Sequence, residues 1–166
     1  MTMIILKTIL VATDFGEPSA AALNYGRDLA RSYGAALHVV HVAENVLARY
    51  AGDGSLALLP QLQKEVEESA RKQLAELVTD EDRRQLHAKA EVLTALGPAE
   101  AIVEYAKSHK ADIIVMGTHG RRALAHLLVG SVAERVVRTA PCPVLTVRHP
   151  EREFIAPDAL AAVART

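Results

Sequence analysis

Three glycines and a serine late in the chain have the types and spacing to do chemistry through their backbone. Gly117 and Gly120 lie three apart, and Gly130 with Ser131 follows after nine intervening residues, giving G-x2-G-x9-G-S. The apolar run Ile113 to Met116 leads into the first glycine, and a helical pattern opens at the last. A strand that ends in a glycine loop and feeds a helix N-terminus can hold phosphate. Glycine lets the backbone approach a ligand closely, and the helix end presents unpaired N–H groups with partial positive charge. On this reading the amides of Gly130, Ser131 and Val132 take phosphate oxygens, and the Ser131 hydroxyl adds one bond. Gly117 and Gly120 let the loop close over ribose and phosphate, and Arg121 and Arg122 screen charge.

A second signal stands at the other end of the chain. The run KTILVAT, Lys7 to Thr13, stops at Asp14. Asp14 is expected to accept hydrogen bonds from ribose hydroxyls or to bind a magnesium ion near the phosphates, with the Thr13 hydroxyl beside it. Val42, closing a later apolar run, offers its backbone to adenine, with Ala12 and Met116 as apolar walls.

Each residue also has a plainer explanation. Ser131 to Glu134 reads as a capping box, and Asp14, three before Glu17, reads as a helix cap. The glycines serve as turn residues, the arginines as solvated surface charges, and Met116 as core.

The elements that must position these groups follow from periodicity. Strands are predicted at Lys7–Thr13, Ala35–Val42, Ala88–Ala95, Ala111–Met116 and Val144–Val147. Gly16, Glu17, Pro18 and Ser19 punctuate, and a helix is predicted to follow to about Tyr33; others are predicted from Gln61 to about Val78, from Pro98, and from Ser131 to Thr139. The second of these turns Leu62, Val66, Ala70, Leu74 and Leu77 inward. The last turns Val132, Val136, Val137 and Ala140 inward. Thr79 to Gln85 is charged and extends or ends the second helix. Glu44 to Pro60 reads as a loose loop. Five strands alternating with four helices predict an α/β fold, a three-layer open five-stranded parallel sheet with right-handed crossovers. If the order is 3-2-1-4-5, Asp14 and Gly117 end neighbouring strands at the switch point, where such sheets bind ligands.

Composition sets limits. At 166 residues, residues 1–149 are expected to form one domain, and residues 150–166 a tail in which Pro157 to Arg165 forms a short helix. No apolar run reaches the ~20 residues of a membrane helix, so no membrane is expected as partner. The net charge of −1 and the absence of Trp argue against nucleic acid. Cys142 is the single cysteine and fits a reducing cytoplasm. There is no P-loop, no G-x-G-x-x-G after the first strand, and no metal spacing among the histidines. His38 and His41 fall on opposite strand faces.

The residues ILVATDF, HVVHV and MGTHGRRALAHLLVGSVAERVVRTAPCPVLTV, in this order of elements, resemble the universal stress protein family over residues 4 to 148. The glycine spacing is similar to its ATP-binding branch. The resemblance implies a flavodoxin-like, adenine-nucleotide-binding fold, a role in stress response, and homodimers through the last strand, Val144–Val147. It also implies that Thr13, Asp14, Val42, Met116, Gly117, Gly120, Gly130, Ser131 and Val132 line the nucleotide site. Ala12 stands where the family often has proline, a change that backbone contacts should tolerate. Three functions compete: a nucleotide-dependent regulator, a slow ATPase or phosphoryl-transfer enzyme using the same site, and a structural dimer module whose site is empty in the cell.

Overall fold

The computed structural model describes residues 3–51, 57–118 and 131–148. Five strands form one all-parallel sheet: β1 (Thr8–Ala12), β2 (Ala36–Glu44), β3 (Lys89–Ala95), β4 (Ile113–Gly117) and β5 (Val144–Val147), in the order β3-β2-β1-β4-β5. This is the expected topology of a flavodoxin-like sheet, with β1 and β4 side by side at the centre. Among the described residues the helices are α1 (Glu17–Tyr33), α2 (Val46–Arg49), α3 (Leu59–Leu77), α4 (Asp80–Gln85), α5 (Pro98–Ser108) and α6 (Ser131–Thr139).

Period-two alternation sorts the strand side chains into two cores. Ile9, Val11, Leu37, Val39 and Val115 join Ala22 and Leu23 of α1 and Leu74 of α3 on one face. Leu10, Ala12, Val40, Ile114 and Met116 join α5 and α6 on the other. Each fully buried Leu or Ile contributes about 1.5–3 kcal/mol, so the two central strands, apolar on both faces, hold much of the stability. α1 lies close on β1 because Gly26 has no side chain there; a β-carbon would stand 2.4 Å from Val11 Cγ2.

At the amino edge of the sheet one carboxylate ties the central pair. Asp112 Oδ2 accepts from the amides of Lys7 (2.7 Å) and Thr8 (2.9 Å) just before β1.

Four expectations about elements are corrected. The segment after β2 is not all loop: α2 lies within it, capped by Asn45, whose Oδ1 accepts from the Ala48 amide at 2.9 Å. Thr79–Gln85 is a separate helix, because the Thr79–Asp82 capping box starts a new one. On α3, Leu62 is 44% exposed while Gln63 is buried. Gln63 accepts the Val46 amide proton at Oε1 (2.7 Å), and Nε2 donates to Glu67 (3.0 Å), so its amide is satisfied where a leucine would leave Val46 N–H unpaired. On α6, Val137 is 53% exposed and Ala133 is buried instead. The helix turns Val136 and the small Ala133 toward the sheet and leaves Val137 outside. No helix among the described residues is long and apolar enough to cross a membrane.

Candidate functional site

The carboxyl ends of β1 and β4 meet. Ala12 is the register partner of Met116, so the chain leaves both strands side by side, at Thr13 and Gly117. Gly117 is in register with Val147, and the Thr118 amide donates to Val147 O at 2.9 Å. This is the topological switch point of the sheet, where crossovers leave to opposite faces and a crevice opens. Thus two signals separated by about a hundred residues of sequence lie together.

The β1 terminus is a tight, fully wired turn. The Thr13 amide donates to Val40 O (2.9 Å) and extends the β1–β2 ladder by one bond. Strand alternation turns the amide and carbonyl of Val42, two residues beyond Val40, to that same side. Asp14 Oδ1 accepts from the Gly16 amide at 3.0 Å. Gly16, not Asp14, is the N-cap residue of α1, so the carboxylate shapes the turn without capping the helix itself. Phe15 takes the left-handed conformation at φ 64°, unusual for a bulky residue, and its ring lies 4.3 Å from that of His41. His41 Nδ1 donates to Thr13 O at 2.8 Å; a carbonyl can only accept, so this nitrogen carries a proton.

The hydroxyls of the turn can be assigned by counting protons. Ser19 Oγ donates to Gly16 O (2.9 Å) and lies 3.1 Å from Thr13 Oγ1. Its one proton goes to the carbonyl, so Thr13 donates to Ser19. Thr13 Oγ1 in turn accepts from the Phe15 amide at 3.0 Å. The Thr13 hydroxyl, expected to face a ligand, is buried and engaged within the turn. Sequence reading took Ser19 only as punctuation before the helix, whereas it lies in the first turn of α1; its place three residues after Gly16 was the available signal.

Gly117 also has a structural task. A β-carbon there would lie 2.8 Å from Pro18 Cβ and 3.0 Å from the Ser19 amide nitrogen. The first turn of α1 therefore rests directly on the end of β4, and this glycine permits the approach.

Ala12 and Met116 are buried and Val42 is half-buried, all three in or against the α5–α6 core. Ala133, in the first turn of α6, is in that core too, which brings the start of α6 to the same side of the crevice. Ser131 is the first helical residue of α6 and is exposed, and Val132 is half-buried. Glu134, expected to reach back in a capping box, pairs forward with Arg138 at 3.0 Å. Gly120, Arg121, Arg122 and Gly130 lie outside the described residues, as do His119, His126 and the tail. Among the described residues no three His, Cys, Asp or Glu side chains come together to hold a metal. Cys142 is half-buried, and burial, reinforced by Asp112, raises its thiol above the ordinary value, which fits an inert thiol.

The family model described as the universal stress protein family matches residues 6–148. The chain belongs to this family. A universal stress protein of Methanocaldococcus jannaschii is 36% identical over 148 residues, covering 89% of this chain and 85% of the relative. The solved structure of the hypothetical protein MJ0577, from the same organism, has a TM-score of 0.77 at 25% identity, covering 90% of this chain and 100% of that one. A universal stress protein solved in complex with cAMP has a TM-score of 0.55 at 25% identity, covering 87% and 98%.

Proposed function

We propose that this universal stress protein binds an adenine nucleotide, with ATP as the ligand its glycine spacing suits, and acts as a nucleotide-dependent regulator in the cytoplasm during stress. The observation that carries the reading is the pairing of Ala12 with Met116, which sets the Asp14 turn beside the glycine at the end of β4. The relative that holds cAMP supports adenine as the base. In this reading Val42 meets adenine with its backbone, and Ala12 and Met116 wall the base. Asp14 meets the ribose, or a magnesium ion completed by phosphates and water. Gly120, Gly130, Ser131, Val132 and Arg121 meet the phosphates. Residues 1–149 form the nucleotide-binding domain, residues 150–166 are an appendage, and two copies associate through β5. A ligand bound better by one state of the glycine loop shifts the population of that state, and a partner surface with it.

Isothermal titration with AMP, ADP, ATP and cAMP tests the proposal, together with mass spectrometry of small molecules that co-purify. Saturable ATP binding with turnover near background supports the regulator. Magnesium-dependent turnover that disappears in Asp14→Ala assigns the site to an enzyme instead. No affinity for any adenine nucleotide, in a chain shown to be folded, overturns both.

A further inference from the structure

The turn that carries Asp14 is held by a side chain with no direct part in the proposed site. Ser19 is 3% exposed, sits in the first turn of α1, and faces the β1 terminus from below. Its hydroxyl receives the Thr13 proton (3.1 Å), gives its own to Gly16 O (2.9 Å), and lies 3.4 Å from the Asp14 amide. The relay therefore runs Phe15 N–H to Thr13 Oγ1, Thr13 O–H to Ser19 Oγ, and Ser19 O–H to Gly16 O. It spans the residues before and after Asp14 and closes on Gly16, the residue whose amide holds the Asp14 carboxylate. The Ser19 backbone is in turn seated against Gly117 of β4. One residue thus references the carboxylate to both central strands.

Resting on the adenine-nucleotide reading above, we propose that Ser19 is a positioning residue for that site: it acts through Asp14 by fixing the Thr13–Gly16 turn that aims the carboxylate. Without the relay the Asp14 carboxylate keeps its charge and loses its bearing. Ordering it again then falls to the ligand, and affinity drops.

The test is a double-mutant cycle with Asp14→Ala, reading ATP affinity by calorimetry on full-length protein. Ser19→Ala is expected to weaken ATP binding about tenfold in the wild-type background and less than about twofold in the Asp14→Ala background, because residues coupled in one network are not additive. A purely structural role predicts the same loss in both backgrounds, and that result overturns the proposal, as does unchanged affinity in folded Ser19→Ala. Should Ser19→Ala fail to fold, Thr13→Val removes the proton entering the relay at nearly constant volume and is expected to show the same dependence on Asp14. Equal losses in both backgrounds there overturn it too. Absence of ATP binding by the wild-type chain marks failure of the nucleotide reading; wild-type binding with an additive cycle marks failure of the role assigned to Ser19.

Discussion

Arg27 grips Asp82 with two nitrogens, Nη2 at 2.7 Å and Nε at 3.0 Å, and the same Nη2 donates to the Leu77 carbonyl at 2.9 Å. Asp82 is 4% exposed and also accepts from the Thr79 amide at 3.0 Å. One carboxylate therefore starts α4 and binds it to α1. Asp82→Ala removes the cap and leaves Arg27 partly buried without its partner. A loss of about 2–4 kcal/mol is expected in urea unfolding. Burial pushes this carboxyl up, but the Arg27 hydrogen bonds, the Thr79 bonds and the guanidinium charge outweigh it, and the net shift is downward. The stability it gives is then complete above the ordinary aspartate range, near pH 4, and lost as pH falls through the lower folded value.

His38 predicts a second pH dependence, at milder acidity. It is 5% exposed on the α5 face of β2, with Nδ1 3.2 Å from the Tyr105 hydroxyl and the His109 ring 5.6 Å away. Burial lowers its pKa, Lys89 and His109 lower it further, and Glu91 opposes them. Tyr105, raised to about 12 by burial and Glu91, keeps its proton throughout. A group held neutral in the fold stabilises fully above the free histidine value of about 6.5 and loses that contribution as pH falls toward the folded value. Stability measured in urea at pH 7.5, 6.5 and 5.5 should fall, by less than the ~1.4 kcal/mol per pH unit of one whole proton. His38→Gln should flatten that slope; an unchanged slope would assign the effect elsewhere.

Gly117→Ala tests whether the end of β4 is a seat for α1. Backbone atoms crowd the site, with Pro18 C at 2.9 Å from the added carbon, so the first helical turn must move. A loss of about 1–3 kcal/mol is expected, with weaker nucleotide binding as a consequence of the displaced Asp14 turn. Wild-type stability in this variant would show that α1 yields freely.

Association through β5 has a sharp local test. The Ile114 amide bonds to Pro143 O and the Thr118 amide to Val147 O, so strand alternation turns the N–H groups of Val144 and Thr146 away from β4. Thr146→Pro removes one outward donor and leaves the β4 ladder intact. Sedimentation velocity at micromolar concentration should show a dimer in the wild-type chain and a monomer in this variant. A wild-type monomer removes the edge-pairing proposal.

The parallel sheet was legible because continuous apolar runs demand cover on both faces; the order 3-2-1-4-5, which sets the Asp14 turn beside Gly117, entered the sequence reading as a condition. That sheet has few topologies consistent with right-handed crossovers. Helix faces were less legible. Leu62 and Val137 satisfy helical periodicity, yet Gln63 and Ala133 are buried in their place. Periodicity fixes a stripe to about one residue, and the choice within it falls to hydrogen bonding at Val46 and to packing in the core under α5 and α6. The short helices α2 and α4 were read as loop or continuation, since each depends on a single capping side chain. At the site, the sequence named the residues that end strands but not the relay beneath them. A hydrogen-bond chain through Thr13 and Ser19 exists only once α1 is laid against β4.

The clasp of Asp112 on the amides of Lys7 and Thr8 lies at the far edge of the sheet from the crevice, yet it bears on what happens there. It stops the two middle strands from sliding lengthwise past each other. Their opposite tips, Ala12 and Met116, are therefore kept level with each other from the far end of the pair.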